Sequence, residues 1–179
     1  MIYNVAGLLM DTEGSVRRFE VDGEDLFTDR HHFREISGPV RMLRTDRTVL
    51  VSAELSATAV DTCSRCLEPA IVNVSVKFEE EFQPVNFSLM GERPAPVEPE
   101  FDPALIIDER NMLDLSDAMA QALSVAVPMA PLCQSGCKGL CRTCFTNLNS
   151  AQCSCDQNPT DPRWQRLVEL ASKTPDSLN

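Results

Sequence analysis

The chain has 179 residues, enough for one domain of ordinary size with a small appendage. Its apolar fraction of 43% and charged fraction of 24% are typical of a globular protein, which excludes wholesale disorder. The formal net charge of −11 argues against a general nucleic-acid-binding surface, because such a surface needs an excess of Lys and Arg to neutralise phosphates.

The sequence shows no targeting signal. No run reaches the roughly 18 apolar residues that indicate a transmembrane helix. The first residues, MIYNVAGLLMDTEG, lack the basic start and the small-residue cleavage site of a signal peptide. We therefore expect a cytoplasmic protein with no membrane partner. In a reducing cytosol, clustered cysteines more often bind a metal or carry out redox chemistry than form structural disulfides.

The first eighty residues are predicted to be mostly β-strand. Segments 49–60 and 70–82 alternate with the period of two of a half-buried strand, and weaker patterns lie at 15–21 and 39–45. The short sequence Cys63-Ser-Arg-Cys66 falls between the two clearest strands. This position predicts a hairpin that carries the Cys-x-x-Cys at its tip.

Prolines and helical periodicity organise the second half. Residues 84–103 contain five prolines and four acidic residues, which predicts an exposed loop before a short strand at 104–108. A helix is predicted over 113–127, because apolar residues recur there at helical spacing before Pro128. A second helix is predicted over 161–173, with Asp161 as its cap. We expect the apolar face of each helix to pack in the core or to dock.

These elements predict an α+β fold. We expect an antiparallel β-sheet or partly closed barrel with a C-terminal helix, a cysteine-rich zinc segment and a short terminal helix. Two parts are predicted. Residues 1–130 form a β-rich domain with one packed helix and the loop at 84–103, and residues 131–179 form a cysteine-rich zinc-binding segment with its helix.

Eight cysteines form four close pairs, at 63/66, 133/137, 141/144 and 153/155. A structural zinc site takes four ligands in a tetrahedron, and a Cys-x-x-Cys turn lets two thiolates reach one ion. Residues 131–160 have few large apolar side chains, so metal binding would supply folding energy that this segment lacks. We predict one or two closed, non-catalytic Zn²⁺ sites, whose ligands are Cys63, Cys66, Cys133, Cys137, Cys141, Cys144, Cys153 and Cys155.

Two partitions of the eight thiols remain open. The preferred one assigns the 141/144 and 153/155 pairs to one ion. It assigns the 63/66 and 133/137 pairs to a second ion, which would tie the hairpin tip to the C-terminal segment. The rival partition joins the 63/66 pair to the 141/144 pair and leaves some cysteines free.

Other sequence features carry weaker hypotheses. A thioredoxin-like role for Cys63 and Cys66 is disfavoured, because a strand and not a helix follows them. His31 and His32 have no spaced metal-ligating partner, so we interpret them as exposed polar residues. Seven arginines in 17–47 could touch RNA phosphates, although a solvated face paired with local acidic residues is favoured. The sequence contains no GxGxxG, P-loop, GxSxG or HExxH motif, so we predict that the protein is not an enzyme.

Two stretches resemble one family. CSRCLEPAIVNVSVKFEEEF resembles the hairpin of the bacterial YceD family, the large ribosomal RNA subunit accumulation proteins. PLCQSGCKGLCRTCFTNLNSAQCSCDQNPTDPRWQRL resembles the C-terminal stretch of the cysteine-rich branch of that family. One departure is Cys141-Arg-Thr-Cys144-Phe145, because the family-like knuckle usually reads CPxCG, with a glycine that permits a tight turn.

The resemblance implies a role in ribosome biogenesis, through accumulation of the large-subunit ribosomal RNA. The implied partners are a large ribosomal subunit precursor, a ribosomal protein and ribosomal RNA, with no small-molecule substrate. The acidic balance of the chain favours contact through a basic ribosomal protein or a local arginine patch. Alternatives from other classes are a thiol-disulfide redox protein that uses Cys63 and Cys66, and a zinc-ribbon interaction module in transcription.

Overall fold

A computed structural model describes residues 1–85, 102–155 and 162–173. Short 3-10 turns at Pro103–Leu105 and Pro162–Trp164 accompany the regular elements. In chain order, these elements are β1 (Ile2–Asn4), α1 (Ala6–Met10), β2 (Val16–Phe27), β3 (His32–Arg44), β4 (Val49–Thr62), β5 (Pro69–Pro84), β6 (Ile106–Ile107), β7 (Met112–Asp114), α2 (Ser116–Ala126) and α3 (Gln165–Lys173).

A five-stranded sheet in the order β2-β3-β4-β5-β6 forms the body of the protein. Its first four strands are an antiparallel meander, and β6 pairs in parallel with the end of β5. The sheet curls into a half-barrel, and α2 contacts both β2 and β5. The protein is therefore mostly sheet with few helices, within the predicted α+β class.

The two clearest predicted strands are confirmed as β4 and β5. They pair without interruption from Val49↔Phe82 to Thr62↔Pro69. Alternate side chains of both strands enter the core, which is the physical origin of the period of two in the sequence. The predicted hairpin is also confirmed, because residues 63–68 connect the paired ends of β4 and β5.

A β-bulge explains why β3 was only partly predictable. Between Arg34 and Ser37, β3 has one residue more than the facing stretch of β4. Glu35 lies in this bulge with a φ of 54°. An inserted residue reverses the in–out alternation of a strand, so Phe33 and Ile36 are both buried although their spacing is odd. The predicted strand at 39–45 is thus only the regular end of a longer one.

The core lies between the sheet and two helices. Phe33 and Phe82 contribute large buried side chains from the strands, Leu8 contributes one from α1, and Met119 and Leu123 contribute two from α2. Burial of a large apolar side chain stabilises a fold by about 1.5–3 kcal/mol. The small helices are therefore held in place by packing against the sheet. The sequences of α1 and β1 show no pattern that predicts these elements.

The helix predicted over 113–127 begins later, at Ser116. The preceding residues pair with β1 as strand β7, in the register Tyr3↔Leu113. Asp114 accepts the backbone N–H of Ser116 at 3.0 Å, and so satisfies one donor at the start of α2. The buried face of α2 agrees with the predicted packing.

The predicted helix at 161–173 corresponds to a 3-10 turn and α3. Trp164, Leu167 and Val168 are 58%, 53% and 53% exposed, so the core packing expected for this face is not observed. Its predicted cap, Asp161, lies outside the described residues, as does most of the predicted loop at 84–103. Docking of α3 and the division of the chain at residue 130 stay predictions.

No helix in the described ranges is both long and apolar enough to span a lipid bilayer.

Gly38 of β3 lies close to the backbone of β4, and its substitution is a test of this part of the fold. A Cβ atom at Gly38 would lie 2.1 Å from the carbonyl oxygen of Glu54, and the φ of +142° disfavours other residues. We expect Gly38→Ala to lower the free energy of unfolding by about 3 kcal/mol or more, measured by urea denaturation.

The matched control is Gly14→Ala. Gly14 also has a positive φ, of +84°, but a Cβ there meets nothing within 4 Å. This variant should lose only the conformational contribution, about 1 kcal/mol. Equal losses in the two variants would contradict a steric role for Gly38.

Candidate metal centres

The β4–β5 hairpin ends in a tight turn that gathers two thiols. The N–H of Cys63 donates to the carbonyl oxygen of Glu68 at 2.8 Å, and the N–H of Leu67 donates to that of Cys63 at 3.0 Å. Leu67 has a φ of 62°, in the left-handed region. Cys63 and Cys66 are both buried, although the tip itself is exposed.

Residues 131–140 run across this tip and are fixed to it by hydrogen bonds. The N–H of Ser64 donates to the carbonyl oxygen of Pro131 at 2.8 Å, and the N–H of Leu140 donates to that of Arg65 at 3.1 Å. The Arg65 guanidinium donates in turn to the carbonyl oxygen of Cys137 at 2.9 Å. The hairpin tip and the start of the cysteine-rich segment therefore form one unit.

This docking brings four thiols together, and we name the group the hairpin tetrad: Cys63, Cys66, Cys133 and Cys137. Their sulfur atoms all lie within 4.8 Å of one another. The Cys63–Cys137 and Cys66–Cys133 sulfur distances are 3.8 and 3.5 Å. A tetrahedron with Zn–S bonds of about 2.3 Å has edges of about 3.8 Å, whereas a disulfide has an S–S distance of about 2.05 Å. The spacing fits a tetrahedral metal site.

A second group, the C-terminal tetrad, consists of Cys141, Cys144, Cys153 and Cys155. Its sulfur atoms also lie within 4.8 Å of one another, and its first two cysteines sit on a turn like that of the hairpin. The N–H of Phe145 donates to the carbonyl oxygen of Cys141 at 3.0 Å, and the N–H of Thr143 donates to the Cys141 Sγ at 3.4 Å. The structure thus groups the thiols as in the preferred partition, and ligation by these eight residues stays a prediction.

The knuckle turn forms without the glycine of the family-like motif. Phe145 adopts a φ of 57°, which is the conformation that glycine would take most easily. Leu67 occupies the equivalent position after Cys66 with nearly the same φ. The departure at Phe145 therefore leaves the backbone turn and its hydrogen bonds intact.

Hydrogen bonds lower the pKa of two thiols in each tetrad, Cys63 and Cys137 in one and Cys141 and Cys144 in the other. Burial disfavours the Cys63 thiolate, but hydrogen bonds led by the backbone N–H of Arg65 lower the pKa of Cys63 to about 6. The backbone N–H groups of Cys144 and Thr143 lower the pKa of Cys141 to about 6. Both turns therefore favour a thiolate, which is the form of cysteine that binds a metal.

Neighbouring thiols raise the pKa of another cysteine in each tetrad. The neighbouring Cys66 thiol, which has the largest effect, and burial raise the pKa of Cys133 to about 12. The neighbouring Cys144 thiol, which has the largest effect, and burial raise the pKa of Cys155 to about 12. Four thiolates at this spacing repel one another, and a divalent cation would remove that repulsion. The donor set and its electrostatics fit a metal such as Zn²⁺.

Asn149 supports the hairpin tetrad and was missed by the sequence analysis. Its amide Nδ2 donates to the Cys137 Sγ at 3.3 Å, and its Oδ1 accepts the backbone N–H of Lys138 at 2.8 Å. The Asn149 hydrogen bond is the main reason that the pKa of Cys137 is lowered. No spacing rule identifies this residue, because it reaches Cys137 only after the chain folds back on itself.

The prediction that His31 and His32 are exposed polar residues agrees with the structure only in part. His32 lies 3.4 Å from Asp25, and the more enclosed His31 lies 3.5 Å from Asp61. Within the described ranges, neither histidine belongs to a group that could hold a metal ion. His31 is thus a partly buried residue near an acid, and not simply an exposed polar one.

The seven arginines of 17–47 do not all lie on one face of the sheet, although Arg18 and Arg41 are cross-strand partners on the same face. Arg17 and Arg18 are neighbours in β2, so their side chains leave opposite faces of the sheet. Arg17 donates to Asp11 at 2.8 Å, and Arg47 lies 3.6 Å from Asp46. The favoured interpretation, local pairing with acidic residues, describes these two arginines.

Fold and site together define an α+β protein whose main hairpin and cysteine-rich segment carry two tetrads that could each hold a metal ion. The chain belongs to the YceD family. The sequence model described as "Large ribosomal RNA subunit accumulation protein YceD" matches residues 51–171, a range that includes all eight cysteines.

Similar proteins include mycobacterial and plant relatives. The Mycobacterium tuberculosis (strain H37Rv) protein "Uncharacterized protein Rv2926c" is 29% identical over 139 residues, which are 78% of this chain and 63% of the relative. The Mycobacterium leprae "Uncharacterized protein ML1660" is 26% identical over 132 residues, or 73% of this chain and 57% of the relative. The chain therefore spans less than two thirds of these relatives.

The Arabidopsis thaliana protein "Large ribosomal RNA subunit accumulation protein YCED homolog 1, chloroplastic" is 31% identical over 58 residues. These residues are 32% of this chain and 18% of the plant protein. No solved structure matches the chain significantly.

The support that Asn149 gives to Cys137 predicts a measurable change in metal binding. We expect Asn149→Ala to weaken the affinity of the hairpin tetrad for Zn²⁺ by about tenfold or more, because outer hydrogen bonds typically contribute this much. Competition with a chromophoric chelator measures the effect. The control is the exposed Gln152→Ala. Equal affinities in the wild type and Asn149→Ala would contradict the assigned role.

Proposed function

We propose that this protein is a non-enzymatic factor that supports assembly of the large ribosomal subunit and accumulation of its ribosomal RNA. It does so by binding a ribosomal precursor or a ribosomal protein. Family membership over residues 51–171 carries the proposal, because the family description names large-subunit ribosomal RNA accumulation. The name of the Arabidopsis relative gives that protein the same role.

Each tetrad is proposed to hold one Zn²⁺ ion. The sulfur spacing of the hairpin tetrad and the donor hydrogen bonds to Cys141 support this assignment. Bound Zn²⁺ would supply folding energy, and four thiolates leave no open position for water or substrate. The proposed role of the metal is therefore to stabilise the fold and not to catalyse a reaction.

The charge distribution supports a basic protein as one partner. Residues 61–110 carry eleven acidic and four basic residues. Glu79 and Glu81 of β5 are exposed on the solvent face of the sheet, and the nearby Glu54 of β4 is paired with Lys77 at 2.6 Å. An acidic face steers a basic partner towards it and repels nucleic acid. The stretch of β5 with Glu79 and Glu81 is therefore the better candidate for a ribosomal-protein contact.

The redox alternative for Cys63 and Cys66 has less support. A redox Cys-x-x-Cys typically lies at the start of a helix, where the helix dipole favours the thiolate. Here Pro69 begins β5 directly after the turn, and two further thiols lie within 4.8 Å. A four-sulfur cluster is typical of a structural metal site, so the redox proposal is the less favoured one.

Removal of the metal should unfold one part of the protein first. We expect a strong chelator to make residues 131–155 sensitive to protease while the sheet stays resistant, because this segment buries few apolar side chains. Mass spectrometry of the fragments locates the cuts, and circular dichroism follows the sheet. Unchanged resistance of 131–155 after verified loss of metal would contradict the proposal.

The proposed function predicts an association with assembling ribosomes. Tagged protein in a lysate of growing cells should sediment through a sucrose gradient with particles lighter than the mature large subunit. The purified protein alone is the control, and it should stay at the top. A cellular protein that also stays at the top after gentle crosslinking would count against the assembly role.

A further inference from the structure

The turns that carry the two tetrads contain few acidic residues. Residues 131–155 contain Lys138 and Arg142 and no acidic residue, although the whole chain has a net charge of −11. The hairpin turn adds Arg65, which is bound to the same segment. One carboxylate, Glu68, follows that turn, so the local charge at the joined turns is still positive before any metal site is counted.

Two of these cations are exposed and available. In the parts of the chain that the structure describes, Lys138 and Arg142 form no ion pair. Elsewhere, Arg17 is paired with Asp11 at 2.8 Å, and Lys77 with Glu54 at 2.6 Å. Lys138 and Arg142 therefore differ from these two paired residues.

The same turns expose large apolar side chains in an unfavourable backbone conformation. Phe145 is 72% exposed with a φ of 57°, and Leu67 is 66% exposed with a φ of 62°. A side chain costs conformational free energy in this region, whereas glycine does not. Little burial offsets that cost here, so stability alone would favour glycine. Strained positions of this kind are typical of functional sites.

The backbone joins the two turns into one surface. The N–H of Leu140 donates to the carbonyl oxygen of Arg65 at 3.1 Å, directly before Cys141 begins the second turn. Gly139 makes this approach possible, because a Cβ there would lie 3.0 Å from that oxygen. The exposed side chains are therefore presented by a hydrogen-bonded unit.

We propose that these turns form a contact surface for an unpaired segment of RNA. We name it the knuckle face: Arg65, Leu67, Lys138, Arg142 and Phe145. The flat ring of Phe145 stacks on a base, and Arg142 and Lys138 bind the adjoining phosphates. An exposed aromatic ring beside unpaired cations is the chemistry that recognises single-stranded nucleic acid. The inference rests on the proposed function, in which this RNA belongs to the ribosomal precursor.

The metal sites lie only partly beneath this surface. A tetrad of thiolates around Zn²⁺ has a net negative charge; Cys63, Cys137 and Cys141 are buried, whereas Cys133 and Cys144 are exposed. The cationic side chains lie outside them and are exposed. Hydrogen bonds to sulfur, such as the one from Thr143 to Cys141, withdraw part of the charge. Phosphates would therefore bind at the side chains of Lys138 and Arg142 and not at the sulfur atoms.

The test uses the purified, zinc-loaded protein and a fluorescein-labelled oligouridylate of about 15 nucleotides, followed by fluorescence anisotropy. We expect Phe145→Gly to weaken binding by about tenfold, because the stacked ring is lost. Its melting temperature should equal or exceed that of the wild type, because glycine relieves the strained turn. Arg142→Glu should weaken binding and flatten its dependence on salt.

The control is Phe27→Gly, because Phe27 is also 72% exposed but lies at the β2–β3 hairpin. This variant should bind the oligouridylate like the wild type, and Phe145→Tyr should restore binding. The inference would be overturned if the wild type binds the oligouridylate and both Phe145→Gly and Arg142→Glu bind it with the same affinity. A protein that sediments with ribosomal precursors but does not bind the oligouridylate would overturn it too, and would leave the proposed function standing with a protein contact. Failure in both assays would reject both.

Discussion

Attachment of residues 131–140 to the tip of the β4–β5 hairpin is the interaction on which the second half of the structure depends. The three hydrogen bonds at Ser64, Arg65 and Leu140 contribute about 1 kcal/mol each, whereas ordering one residue costs about 1–2 kcal/mol. They cannot alone hold a segment of this length, and its apolar contacts are limited to a small cluster around Cys63 and Cys137. A structural Zn²⁺ contributes about 10–16 kcal/mol in zinc-finger peptides. The four thiols at this junction are thus the part of the chain best able to supply the missing stability.

This junction also shows how far the sequence could predict the site. Cysteine spacing identifies four pairs, because a Cys-x-x-Cys turn is a local structure. The pairing of Cys63 with Cys137 depends on where a hairpin tip docks, which no local pattern encodes. The same limit applies in the sheet. Alternation predicts β4 and β5, but the bulge at Glu35 reverses it in β3, and β1 exists only because a strand far along the chain pairs with it. Asn149 was missed for the same reason.

The left-handed residues Leu67 and Phe145 show why a glycine position can be occupied by a large side chain here. The conformation costs about 1–2 kcal/mol for a residue other than glycine. A metal bound by the preceding cysteines would fix the same turn with several times that free energy. The turn would then be over-determined, and its last residue would be free to serve another purpose without loss of the fold. An exposed phenyl ring at such a position is therefore more informative about function than one on an ordinary surface loop.

The charge distribution links the proposed contacts to each other. A chain with a net charge of −11 is repelled by RNA over most of its surface, so only a local face can approach it closely. The joined turns have cations for this, and the stretch of β5 with Glu79 and Glu81 has the opposite preference. If the protein binds the ribosomal precursor as proposed, these two surfaces would favour a single orientation, with the turns towards RNA and the Glu79–Glu81 stretch towards protein. The net negative charge would then disfavour other orientations of the protein on the RNA.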